Sequence, residues 1–204
     1  MRDDVPLTVV LASGSRIRFE LLSRAGVACR QQPAVVDEQS LREALHAEGV
    51  SSQNAAVVLA ETKAHHVART LDDDAIVIAA DQLLDLDGRW LEKPVDLAAA
   101  RQQLLNLRDR RHQLVSAVVG FRGGRRVWHT VDTVGIRMRN FSDRFLDGYL
   151  AEAGESVCQS VGAYQLEEQG AQLMAEVEGD YFSVLGLPLI PVLQFLRDQG
   201  LLEA

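Results

Sequence analysis

The stretch "AIVIAA", Ala75 to Ala80, constrains the chain more than any other part of it. Six apolar residues in succession leave no face for water, so they read as a buried strand that other elements must cover. An apolar share of 47% over 204 residues supplies side chains for a sizeable core. Leu7 to Leu11, "LTVVL", is a second short strand; it ends in Ala12, Ser13, Gly14 and Ser15, after which "RIRFELLSRAG" shows helical spacing and closes at Gly26. The clearest helix lies in "VSSQNAAVVLAETKAHHVARTL", with Ser51 or Ser52 as its cap and an apolar face at Ala56, Leu59, Ala60, Ala64 and Val67.

Further along, Asp87-Gly88 marks a hairpin and "VDLAAARQQLLNLR" a helix. Two long strands join across Gly123-Gly124, and another helix runs from about Ser142 to Ala153. Short strands are expected around "GAYQLEEQGAQLMAEVEG" and a closing helix after Pro191. Leu104, Leu105, Leu150 and the run "VLGLPLIPVLQFL" are core candidates. Strands and helices alternate without a fixed period, and no low-complexity linker divides them, so the expectation is one α/β domain over 1–204.

Charge and spacing exclude several function classes. Acidic residues outnumber basic ones 29 to 21, and a net charge of −8 repels a polyanion, so no nucleic-acid partner is expected. The arginines of "LRDRRHQ" and "RGGRR" read as solvated loop and hairpin charges. Cys29 and Cys158 fit neither a zinc spacing nor a disulfide framework, which suits a reducing cytoplasm. No apolar run approaches ~20 residues, and the start "MRDDVPLTVVLA" lacks the features of a signal peptide, so no membrane association is expected. His46, His65, His66, His112 and His129 make no zinc motif, and there is neither a P-loop lysine motif nor a nucleophile elbow.

What remains is a set of charges at the ends of apolar segments. The loop at Ser13 and Ser15 precedes a helix, whose first N–H groups and dipole favour an anion, and Arg16 or Arg18 could clamp a phosphate; an ordinary capped helix is the alternative. Asp81 follows the buried strand, where an acid could hold a hard cation, activate water or simply start a turn. Asp37-Glu38 repeats the pattern after "PAVV", and two such carboxylates could share magnesium. The chain has two lysines against nineteen arginines, and both fall near these acids: Lys63 on the strongest helix, where it could also snorkel to water, and Lys93 before Pro94.

In order along the chain, "LASGSRIRFELL", "VVDE", "LAETKA", "AADQ", "LEKP", "GAY" and "EGDYFSVLGLPL" resemble the Maf family of nucleoside triphosphate pyrophosphatases. The resemblance covers nearly the whole chain. It implies a mixed twisted sheet with flanking helices, in two lobes around a central cleft of the inosine triphosphatase type, and hydrolysis of a nucleoside triphosphate to monophosphate and pyrophosphate. It also implies a divalent metal, Mg²⁺ or alternatively Mn²⁺, and a homodimer is common in the family. Carried over by residue, Ser13, Ser15 and Arg18 would bind phosphates, Glu38 and Asp81 would hold the metal with Asp81 also the base, and Lys63 and Lys93 would neutralise the triphosphate. The family loop has Ser-Pro and an arginine pair where this chain has Arg16, Ile17 and Arg18. Gln82 and Glu167 are similar to the branch acting on 7-methyl-GTP, the dTTP and UTP branch having threonine and glutamine there. Of Glu167 and its neighbour Glu168, the sequence leaves open which points inward. A non-catalytic nucleotide-binding regulator of division on the same scaffold, or a dTTP/UTP pyrophosphatase, is the competing expectation.

Overall fold

The computed structural model describes residues 8–203. In chain order its elements are β1 (Val9–Leu11), α1 (Arg16–Arg24), β2 (Cys29–Gln31), α2 (Glu38–Ala47), α3 (Ser52–Ala68), β3 (Ile76–Leu86), β4 (Arg89–Leu91), α4 (Leu97–Leu107), β5 (Arg111–Arg122), β6 (Arg125–Met138), α5 (Asp143–Ala153), β7 (Met174–Glu178), α6 (Tyr181–Val184) and α7 (Leu189–Asp198). Among the described residues seven strands form one sheet in the order β2-β1-β3-β5-β6-β7, with β4 paired to β3. β1 lies parallel to both β2 and β3, whereas β4 and β7 pair antiparallel, so the sheet is mixed and the fold α/β.

Most expected elements form where their local chemistry places them. Ser51 caps α3 by accepting from the Asn54 N–H, and Ala56, Leu59, Ala60, Ala64 and Val67 are fully buried. Asp87 (φ 54°) and Gly88 (φ 83°) both take the left-handed region, the pair of angles that a two-residue turn between right-twisted strands requires. Of the expected core, Leu104 and Leu150 are buried and Leu105 packs against the cluster, but Ile190 is 60% exposed.

Four expectations are corrected. β1 begins at Val9, and Leu7 lies outside the described residues. β3 does not end at Ala80 but continues to Leu86, because its antiparallel partner β4 supplies a ladder from Leu84 to Leu86. "PAVV" is irregular, with Val35 82% exposed, and the acids after it open a helix. Only β7 forms in 162–179; the rest is turns and short 3₁₀ segments, including Val161–Ala163 and Gln169–Leu173. Glycines dictate that local path. Gly162 (φ +83°) has Tyr164 and Leu84 where a Cβ would go, at 2.4 and 2.7 Å, and a Cβ on Gly170 would meet the Gln165 carbonyl oxygen at 2.4 Å.

The chain divides into two compact units: 1–81, 116–132 and 186–204 in the first, 82–115 and 133–185 in the second. The first has a core of β1, α3, β3 and β5 side chains that includes Val10, Ala64, Val77, Val119 and Phe121. The second gathers Leu84, Leu104, Ile136, Phe141, Leu146 and Tyr164.

The second core also encloses a polar pair. His112 Nε2 lies 2.8 Å from Tyr164 Oη, and both residues are buried. Burial pushes the imidazole from its ordinary 6.5 down to about 4 and raises the Tyr164 phenol. The unfolded chain therefore takes up a proton near pH 6.5 that the folded chain refuses until about pH 4. Stability contributed by neutral His112 is full above pH 6.5 and is lost as pH falls, by about 3 kcal/mol at the limit. Chemical denaturation at stepped pH is expected to show this slope in the wild type and to lose it in His112→Gln, which retains a hydrogen-bonding group for Tyr164. Equal slopes would refute the assignment.

Candidate active site

In the first unit, four segments converge on a small group of charges. The loop between β1 and α1 is the first. Ser15 caps α1, its Oγ accepting from the Arg18 N–H at 3.4 Å. Buried Ser13 uses its Oγ to accept from the Ser15 N–H at 3.2 Å and from Arg18 Nη1 at 3.3 Å. With those two acceptor positions taken, the Ser13 hydroxyl proton is left to donate.

Arg18 binds this loop to two other segments. Its Nε donates to Gly186 O and its Nη1 to Ala80 O, each at 2.8 Å. Burial lowers the guanidinium below its ordinary value, and the charges of Asp81 and Glu38 oppose that shift. Gly186 has φ +84°, and a Cβ there would sit 3.0 Å from Arg18 Nη2, so position 186 suits glycine on both counts. Arg16 goes elsewhere: its side chain is 91% exposed and pairs with Glu20 at 2.5 Å.

α2 and α3 supply the next charges. Asp37 caps α2, accepting from the Ser40 N–H and hydroxyl, which hold its carboxyl below the usual range. That leaves Glu38, the first residue of α2, to reach across to α3. Lys63 does not snorkel to water. It is buried on α3, with its Nζ 2.7 Å from Glu38 Oε2 and 2.6 Å from Asp81 Oδ1.

Asp81 is 4% exposed and lies within β3, three residues beyond Ile78, which pairs with the last residue of β1. It therefore stands past the carboxyl end of the parallel part of the sheet, a common ligand position in α/β folds, although its own strand runs on. Asp81 Oδ2 is buried and has no hydrogen-bond partner among the described residues. A buried carboxylate oxygen without a partner is costly unless something outside the chain engages it.

This donor set fits a divalent cation. Two carboxylates offer hard oxygens, one of them unengaged, which is what Mg²⁺ or Mn²⁺ binds. The formal charges of Glu38, Asp81, Lys63 and Arg18 cancel, so the cluster alone does not offset a polyphosphate. Among the described residues no group of three or more His, Cys, Asp or Glu could hold a metal, so any cation here would take further ligands from substrate or water.

The remaining candidates belong to the second unit. Gln82 Nε2 donates to Ser183 O and Val184 O, each at 3.0 Å, which fastens it to α6. α6 is itself capped by Asp180, which accepts from the Ser183 N–H at 2.7 Å and hydroxyl at 3.0 Å. Lys93 is exposed just after β4, next to buried Pro94. Glu167 and Glu168 are both exposed, but it is the Glu167 carboxyl that partial burial, together with the Glu168 charge, raises above its ordinary value. Tyr149 donates to Ala163 O at 3.1 Å and anchors the approach to that turn.

Two further residues contribute to the first unit's cluster. Gly186 receives Arg18, and Gln31 on β2 donates from its amide to the Ser13 and Ser15 carbonyls.

The chain is 50% identical over 191 residues to a nucleoside triphosphate pyrophosphatase of Paramagnetospirillum magneticum, covering 94% of this chain and 98% of that one. It is 45% identical to a 7-methyl-GTP pyrophosphatase of Rhizobium meliloti, covering 96% and 98%. A solved structure described as a nucleoside-triphosphatase / dITP/XTP pyrophosphatase from Mycobacterium abscessus aligns over 96% of both chains at 16% identity and a TM-score of 0.44, a likeness too slight to bear on function. The model of the Maf-like proteins matches residues 8–199, which takes in the serine loop, both acids, both lysines and Glu167, so the chain belongs to the Maf family.

Proposed function

We propose that this chain is a nucleoside triphosphate pyrophosphatase, and that Asp81 is the base for the attacking water. The observation that carries the reading is the buried Lys63–Asp81 pair, joined by the partly exposed Glu38, with one Asp81 oxygen tied to Lys63 and the other without a partner. In the reaction a water oxygen forms a bond to the α-phosphorus as the bridge to the β-phosphate breaks. Pyrophosphate leaves, and the water proton goes to the Asp81 carboxylate. Lys63 holds the Asp81 carboxylate in place through Oδ1 and adds positive charge. The Ser13 hydroxyl and the N-terminal N–H groups of α1 bind phosphate oxygens, with the helix dipole favouring the anion.

A divalent cation, Mg²⁺ or alternatively Mn²⁺, would be held by Asp81 and Glu38 and would polarise the phosphorus centre and offset the triphosphate charge. Lys93 would neutralise further phosphate charge. Gln82 and Glu167 are assigned to base selection: the Glu167 carboxylate suits the N1–H and exocyclic amine of guanine, and its charge complements an N7-methylated ring. Uracil and thymine offer one imide donor, so 7-methyl-GTP is the favoured substrate. Two cysteines that form no disulfide, and the lack of any membrane-crossing helix among the described residues, fit a cytoplasmic enzyme.

A panel of canonical and modified triphosphates, assayed with Mg²⁺ and with pyrophosphate and orthophosphate read separately, tests this. Pyrophosphate should appear in step with the monophosphate, and 7-methyl-GTP should exceed UTP and dTTP in kcat/KM by on the order of 10-fold or more. Orthophosphate as the first product would move the attack to the γ-phosphorus and end the mechanism. Uniform turnover across the panel would remove the assignment of Glu167.

A further inference from the structure

The serine loop is braced from behind by β2. That strand runs parallel to β1 with Gln31 opposite Leu11, and the Gln32 N–H donates to Leu11 O at 2.9 Å, so the ladder ends where the loop begins. There the Gln31 carboxamide takes over. Its Nε2 donates to Ser13 O at 2.9 Å and to Ser15 O at 3.2 Å, using both hydrogens of one nitrogen. The Pro33 ring lies 3.8 Å from where a Cβ on Gly14 would stand and closes the same side.

Peptide planarity converts these contacts into an orientation. No cis peptide occurs among the described residues, so a carbonyl drawn toward β2 sends the N–H of the following residue the opposite way. Gln31 thereby aims the Gly14 and Arg16 N–H groups away from β2. Ser13 Oγ is fixed on the same loop by Ser15 and Arg18. Without Gln31, the Ser13 carbonyl would be free to turn and to take the Gly14 N–H with it, whereas the Ser15 carbonyl would keep only the Phe19 N–H at 3.3 Å, the first turn of α1.

We propose that Gln31 is a positioning residue for polyphosphate binding, its carboxamide holding the Ser13–Ser15 backbone so that loop N–H groups are presented to one anion. This rests on reading the loop as the triphosphate cradle. It concerns a side chain that touches the loop's carbonyl oxygens and acts through them.

The test uses inorganic tripolyphosphate as the probe, measured by calorimetry with the full chain, alongside steady-state kinetics on a nucleoside triphosphate. Gln31→Met keeps the length of the side chain and removes its donors. Kd for tripolyphosphate and KM for the nucleotide are expected to rise roughly 10-fold, with kcat within about two-fold, because ground-state and transition-state binding are weakened alike. Gln31→Asn, which keeps the amide on a shorter stem, should fall between wild type and Gln31→Met, and it decides the question if Gln31→Met does not fold. Unchanged Kd and KM in a folded variant, or a fall in kcat alone, would overturn the role of Gln31 while leaving the site reading intact. Failure of the wild type to bind tripolyphosphate would overturn the cradle itself and this inference with it.

Discussion

Asp81→Asn is expected to reduce pyrophosphate release by roughly 10²–10⁴-fold, the range that a positioned base contributes, with little loss of folded protein. The amide is the same size, so the packing around a residue that is 4% exposed is kept. Its oxygen can still accept from Lys63, but no atom of it takes a proton from water at neutral pH. Lys63 keeps Glu38 at 2.7 Å and is not stranded. Single-turnover rates measured beside a denaturation curve check this. An asparagine variant within ten-fold of wild type would show that another group accepts the proton.

Lys63→Met should act in the opposite manner, on stability first. Methionine fills much the same volume but leaves the Asp81 carboxylate buried without its counter-charge, and breaking a buried pair from one side costs about 3–5 kcal/mol. The double variant Lys63→Met with Asp81→Asn removes the uncompensated charge and is expected to recover a large part of that loss. Denaturant midpoints for the two single variants and the double variant complete the cycle. A single Lys63→Met change within about 1 kcal/mol of wild type, the range of an exposed pair, would contradict a buried one.

Much of this geometry was legible in the sequence where one element supplied its own signal. The α3 face, the loop before α1 and the turn at Asp87-Gly88 each need only local chemistry, and all three form as expected. β3 misled because two polar residues, Asp81 and Gln82, look like the end of a buried strand; what continues it is β4, a partner that follows only after a turn. α2 was missed for a different reason. Its sequence does carry a helical signal, Leu41, Ala44 and Leu45 at i, i+3, i+4 behind the cap at Asp37, but it buries none of its residues and so adds nothing to the core pattern.

For the site, residue types and their order pointed to Ser13, Arg18, Glu38, Lys63 and Asp81, and the structure brings these five together within the first unit. Gln31 left no trace, since a glutamine in the sequence is read as a solvated side chain until its amide is found on two carbonyls. Arg18 was legible as a cation but not as a brace. Its two strongest contacts are to backbone oxygens, which any residue type supplies.

The residues on either side of Asp81 are both moored. The Ala80 carbonyl is fastened by Arg18, and the Gln82 amide by the end of α6. On the proposed roles of Gln82 and Asp81, selectivity and reactivity lie on adjacent letters of one strand. A lineage that altered its nucleotide preference at position 82 would be loosening a tether one peptide away from its acid, so new tastes in this scaffold should come with slower chemistry until a second change re-anchors the strand.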